Sequence, residues 1–174
     1  EASARVSAVT ETLLKPALAG LASQPTSPQQ VAMISRPLRS RLQQLPLDTP
    51  GEAAGPTQGK VALFATCYMN RNEPGPGEDL AAVFNHNGIP VTLAEKERCC
   101  GMPKLELGDL ESVKAAKEVN IPGLAKLVDA GWDLTALVPS CVLMFKQELP
   151  LMFPDDADVQ KVKSAFYDPF EYLM

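Results

Sequence analysis

From residue 60 onward, short apolar runs alternate with longer stretches whose apolar residues recur every three or four positions. "KVALFATC" is a run of the first kind, the pattern of a parallel strand buried on both faces. "EDLAAVFNHNG" is of the second kind and predicts a helix, with Gly88 as its C-terminal stop. "IPVTLAE" and "DLTALVPSC" predict a second and a third strand. Between them, "DLESVKAAKEVNIPGLAKLVDAG" predicts one helix or two, with a break near Pro122. "VLMFKQEL" and "DADVQKVKSAF" predict further helices, and the last residues show no clear pattern. "NEPGPG" and "ERCCGMPKLELG" read as loops. The order β-α-β-α-β-α predicts a parallel sheet joined by right-handed crossovers. Three strands are few for such a sheet, which points to a partner that completes it.

The first part of the chain follows another pattern. Residues 1–45 have helical spacing throughout, as in "ARVSAVTETLLKPALAGLA", where Pro16 divides or kinks the segment. Ser27 and Pro28 open a second helical stretch, which Pro37 interrupts. Residues 46–59, "PLDTPGEAAGPTQG", are rich in proline, glycine and small residues and have little to bury, as in a linker. The expected organisation is a helical N-terminal segment at 1–45, a linker at 46–59 and an α/β domain at 60–174. The chain begins at Glu1 and stops within the apolar run "AFYDPFEYLM", as a piece of a longer protein would.

Composition narrows the function classes. The 174 residues are 45% hydrophobic and 21% charged with a net charge of −5, ordinary for a globular domain. The lysines and arginines are scattered, with no basic stripe and no interleaved aromatics, which argues against nucleic acid as a partner. No segment approaches the roughly 20 apolar residues that span a bilayer. The start of the chain has charges at Glu1, Arg5, Glu11 and Lys15 and no apolar core, so it is no secretory signal. The expected location is the cytoplasm, with any membrane association made through a partner. Four cysteines beside one histidine then suggest metal or redox chemistry rather than a disulfide framework.

The positions of the cysteines carry the chemistry. Cys67 ends the first predicted strand, Cys99 and Cys100 follow the second, and Cys141 ends the third. All four are thus expected at the carboxyl edge of a parallel sheet, where open α/β sheets bind ligands. On an extended backbone, adjacent side chains point opposite ways, so Cys99 and Cys100 need a turn to serve one centre. Gly101 permits such a turn and Pro103 stiffens it. Any one of these cysteines alone reads equally well as an ordinary buried residue. Thiolates select zinc, copper(I) or iron–sulfur clusters. The long spacings weaken a zinc-finger reading, which uses close pairs, but leave zinc open.

"FATC", "CCGMP", a helix reaching "KEVN" and then "VPSCVLMFKQELP" together resemble the cysteine-rich CCG domain. That domain occurs in heterodisulfide reductases and in iron–sulfur subunits such as that of anaerobic glycerol-3-phosphate dehydrogenase. The resemblance covers about residues 60–153. It implies that Cys67, Cys99, Cys100 and Cys141 ligate an iron–sulfur cluster, [4Fe–4S] in type. It also implies an electron-transfer subunit or domain of an oxidoreductase, passing electrons from a dehydrogenase towards quinone or another acceptor. Other oxidoreductase subunits or a second CCG domain would be its partners. Two alternatives remain: a disulfide or thiol reductase acting at the cluster, and a zinc-stabilised or metal-free interaction module. Met144 stands where the family's final CxxC cysteine would be, which favours a four-thiolate centre.

The remaining candidates are weaker. His86 reads as a helix-end residue before a metal ligand. Met69, Met102 and Met144 flank the cysteines and are expected to pack around them. Glu95, Glu97, Glu106 and Asp109 read as a solvated acidic loop, and Lys96, Arg98 and Lys104 as cations that balance thiolate charge. Trp132 is expected in the core. No phosphate-binding glycine motif and no hydrolase triad is present.

Overall fold

The computed structural model describes residues 37–42, 59–95 and 98–174. The helical segment expected at 1–45 is described only at 37–42, and the linker expected at 46–59 only at residue 59; the rest of both lies outside the described residues. In chain order the elements are α1 (Leu38–Leu42), β1 (Val61–Leu63), α2 (Cys67–Arg71), α3 (Pro74–His86), β2 (Val91–Leu93), α4 (Met102–Glu106), α5 (Leu110–Asp129) and β3 (Asp133–Thr135). Then come α6 (Pro139–Leu143), a π-helical turn (Met144–Glu148), α7 (Leu149–Met152), α8 (Ala157–Ala165), β4 (Phe166–Tyr167) and α9 (Pro169–Leu173).

The four strands form one parallel sheet in the order β2-β1-β3-β4. Val61 lies opposite Val91 on one side and Asp133 on the other. Side chains alternate across a strand, so β1 and its extension feed two cores. Val61, Leu63 and Ala65 pack with Leu38, Leu42, Leu80, Phe84 and Val91. Ala62 and Phe64 pack on the other face with Val113, Leu124, Leu134, Phe145, Val162 and Phe166. Helices therefore cover both faces, the arrangement that near-continuous apolar strands require.

α1 belongs to this α/β unit. Leu38 and Leu42 are fully buried in the first core, and Leu38 fills the notch left by Gly77 of α3, where a Cβ would collide with its side chain. Arg41 pairs with Glu78 at 2.9 Å. On the opposite face, the one deeply buried lysine among the described residues, Lys117, is satisfied by Asp156 at 2.6 Å and Glu118 at 3.0 Å. Asp156 also caps α8, so this pair ties α5 to the start of α8.

Four local features depart from the sequence expectation. The first and third strands end at Leu63 and Thr135, and Cys67 and Cys141 lie in the helices that follow. Neither "NEPGPG" nor "ERCCGMPKLELG" is wholly a loop: Pro74 takes the first position of α3, where its missing N–H costs nothing, and Met102–Glu106 form α4 after the turn at Gly101. α5 runs unbroken through Pro122. The proline removes one hydrogen bond, but Val113, Ile121, Leu124 and Ala125 hold the helix on the sheet from both sides of it. A fourth strand exists: Phe166 and Tyr167 leave α8 and pair with Leu134 and Thr135, so the chain itself extends the sheet beyond three strands.

Phe145, in the π-helical turn, is the keystone of the larger core. Its ring stacks on Phe166 at 4.8 Å and meets Phe64 edge-on at 5.0 Å. Phe145→Ala is expected to lower stability by about 3–5 kcal/mol, read as a lower urea midpoint with an unchanged denaturant slope.

Candidate metal centre

The strand order sets where a site can form. The connection from β1 leads to β2 on one side, and the connection from β3 leads to β4 on the other. β1 and β3 are neighbours whose chains part at their carboxyl ends, which leaves a crevice there. The two turns that flank this crevice carry Cys67 and Cys141, and the turn after β2 carries Cys99 and Cys100.

Each turn is built to deliver its thiol. Thr66 accepts the Met69 N–H on its hydroxyl oxygen at 3.1 Å and so caps α2, which Cys67 opens. Thr66 is the one non-glycine residue with positive φ among the described residues (φ 55°). A β-branched residue held there is strained, and such strain collects at functional sites. Gly101, at φ 101°, ends the Cys99–Cys100 segment and caps α4. Pro139 starts α6, which sets Cys141 in its first turn.

The four thiols interact as one group. The Sγ atoms of Cys67 and Cys99 are 3.7 Å apart. The thiol of Cys141 donates to Cys100, which lowers the Cys100 pKa from 9.0 to about 7 against the opposing effect of burial; the Met102 N–H and Cys99 add to the lowering. The same hydrogen bond pushes Cys141 upward, helped by burial and by the negative charge of Cys100, Cys67 and Cys99. Burial also raises Cys99, offset in part by the Gly101 N–H that its sulfur accepts. Cys67 is exposed and Cys99 half-buried, whereas Cys100 and Cys141 are buried. The centre thus has an outer pair and an inner pair.

This donor set fits a thiophilic group. Four sulfurs, with backbone N–H groups directed at two of them, match what soft metals and iron–sulfur clusters bind. Among the described residues, no three His, Cys, Asp or Glu side chains are placed to hold a single metal ion.

The other candidates divide by location. Met102 and Met144 are buried in the core that also holds Cys100 and Cys141, and the Met144 methyl lies against Gly101, whereas Met69 is buried in the other core. Lys104 pairs with Asp109 at 3.4 Å, and Asp109 caps α5 by accepting the Ser112 N–H. Glu95 lines a separate groove with Val119, Pro122 and Gly123. Lys96 and Glu97 lie outside the described residues. His86 ends α3, the helix that returns to the start of β2, so it lies at the amino edge of the sheet, away from the cysteines. Trp132 immediately precedes β3 at that same edge, packed on the core beneath the Lys60 ammonium. Sequence reasoning missed Thr66 and Asn120. Asn120 accepts the Arg98 N–H at 2.8 Å and donates to the carbonyls of Arg98 and Cys99. The signal for it was a polar residue on the apolar face of α5.

Comparison with known proteins finds relatives of the cysteine-bearing part of the chain. Residues 61–146 match the cysteine-rich domain family designated CCG. The chain is 32% identical over 92 residues to a subunit of the anaerobic glycerol-3-phosphate dehydrogenase of Escherichia coli K12, covering 52% of this chain and 23% of that protein. It is 32% identical over 119 residues to lactate utilization protein A of Bacillus cytotoxicus, covering 66% of this chain and 48% of that protein. The chain therefore spans about a quarter to a half of the relatives it matches. No solved structure matches it.

The inner pair makes stability depend on pH in the reduced, metal-free chain. Between about pH 7 and pH 9.0 the unfolded chain holds more protons at Cys100 than the folded chain, so stability rises with pH across that window. Above it the sign reverses, because Cys141 keeps its proton in the folded state and loses it in the unfolded one. Melting temperatures measured across this range should peak near its upper end, and Cys100→Ala should flatten the rise.

Proposed function

From the premise that residues 61–146 are a cysteine-rich CCG domain, we propose that the chain is the electron-transfer part of an oxidoreductase. It holds an iron–sulfur cluster, [4Fe–4S] in type, through Cys67, Cys99, Cys100 and Cys141. The observation that carries this reading is the convergence of four thiols, from three turns far apart in sequence, on the crevice between β1 and β3. When bound, the cluster supplies one-electron transfer without proton or group chemistry.

The chain's own residues do the rest. Cys100 and Cys141 form the buried wall of the site, and Cys67 and Cys99 form its open side. The N–H groups of Gly101 and Met102 point at the sulfurs of Cys99 and Cys100, where they stabilise negative charge. Hydrogen bonds to ligand sulfurs and limited solvent access are two levers that set a cluster's potential. The exposed Cys67–Cys99 side is where an electron donor or acceptor would approach.

Two relatives give this reading its setting. One is a subunit of a dehydrogenase and the other a lactate utilization protein. By analogy, substrate oxidation falls to another subunit, and this chain docks with it or with a second CCG domain. The expected location is the cytoplasm. No helix among the described residues is long and apolar enough to cross a membrane, so membrane contact would come through a partner.

A second reading has its own support. An open cavity of about 250 Å³ is bordered by Arg98, Cys99, Lys104 and Ser112. Such access beside a ligand sulfur suits a disulfide or thiol substrate reduced at the cluster.

The deciding experiment is anaerobic purification followed by iron, sulfide and zinc analysis. Iron and acid-labile sulfide in near-equal amounts are expected, with visible absorption that Cys100→Ala or Cys141→Ala abolishes. Stoichiometric zinc without sulfide would overturn both redox readings in favour of a zinc-stabilised module. In the iron-loaded protein, reoxidation by a quinone analogue but not by small disulfides would favour the relay over the reductase.

A further inference from the structure

We propose that Asn120 is the positioning residue for the adjacent cysteines, holding the Arg98–Cys99 backbone so that Cys99 and Cys100 face one centre. This rests on the reading of the four thiols as ligands.

The sheet leaves this segment unsupported. β2 ends at Leu93, and Ala94 makes a last ladder-like bond to the Leu63 carbonyl at 3.0 Å. By residue 98 the chain has left the strand, yet it must hold two neighbouring side chains in a set orientation. The Asn120 carboxamide takes the place of the missing strand. Its Oδ1 accepts the Arg98 N–H at 2.8 Å, while its Nδ2 donates to the carbonyls of Arg98 at 3.4 Å and Cys99 at 3.3 Å. It accepts and donates as a peptide group of a neighbouring strand would. With the Cys99 carbonyl held, the plane of the Cys99–Cys100 peptide is set, and with it the directions of both thiols.

The placement of Asn120 is otherwise hard to explain. It lies in the middle of a 20-residue helix, where asparagine is a poor helix former, and it is 4% exposed. A buried carboxamide without partners would be costly, so its partners decide its presence. Val113, Ala116 and Asn120 share one face of α5. The first two lie beneath Gly101: its would-be Cβ is 3.7 Å from each. The helix thus supports the turn by contact at Gly101 and grips it by hydrogen bonds at Arg98 and Cys99.

Asn120→Ala and Asn120→Asp test this in the full chain. The aspartate keeps the shape and the acceptor for Arg98 but replaces the Nδ2 that donates to both carbonyls with a charged oxygen, so alkylation rates are compared per thiolate to read the lost hold on the carbonyls. In the metal-free, reduced chain with Cys67→Ser, both variants should raise the rate of Cys99 alkylation by maleimide several-fold. In the anaerobically loaded chain, both should lose iron to a chelator on the order of tenfold faster, as expected for a partner that orients a ligand. Both should also alter the electron paramagnetic resonance spectrum of the reduced centre, which a merely stabilising residue would leave unchanged. Alkylation and iron loss within about twofold of wild type, with an unchanged spectrum, would overturn the proposal. If the wild type takes up neither iron nor sulfide, the cluster reading fails; unchanged alkylation would then overturn the hold on the turn as well, and faster alkylation would support it.

Discussion

β1 is three residues long, fully buried, and paired with a parallel strand on each side. Because its side chains alternate, it must satisfy two separate cores at once, Val61 and Leu63 on one face and Ala62 on the other. That requirement forces helices onto both faces of the sheet. Parallel strands in turn need crossovers, so every strand hands its chain to a helix at the same edge. The site is a consequence of this handover. The turns after β1, β2 and β3 carry the thiols at that edge, and the parting of the chains after β1 and β3 leaves room between them.

The centre is not symmetric. Its inner thiols, Cys100 and Cys141, are linked by a hydrogen bond in a buried setting, and its outer thiols are the exposed Cys67 and the half-buried Cys99. The turns that present them are held by different means. Cys67 follows a strained but capped threonine, Cys99 and Cys100 are held from α5, and Cys141 is set by a proline that starts its helix. A backbone shaped without help from a bound group loses less freedom when that group arrives. Met144 fits the same scheme, since its methyl closes the inner wall beside Gly101.

Much of this was legible in local pattern. The three apolar runs marked β1, β2 and β3, and cysteines at or just past their ends followed from position alone. Gly101 was recognisable as the turn residue because two adjacent thiols need one. Other features resisted for physical reasons. β4 is two residues long and follows a helical run without a break, so it has no periodicity of its own. Pro122 signals a helix break, but packing on the sheet outweighs one lost hydrogen bond. Thr66 shows no sign in sequence that its φ is positive. Asn120 looks like a blemish on an apolar face until the turn it grips is in place.

What the sequence by itself determined is the class of fold, the edge at which the cysteines gather and the soft-donor chemistry they offer. These follow from short-range periodicity and from residue type. Tertiary structure decided which thiol pairs with which, which pair is buried, that His86 and Trp132 lie at the far edge, and what holds the Cys99–Cys100 turn. These depend on strand order. β1 lies between β2 and β3, so residues far apart in the chain become neighbours while adjacent ones part. No local pattern encodes that rearrangement, because it is settled by how the two faces of one short strand are covered.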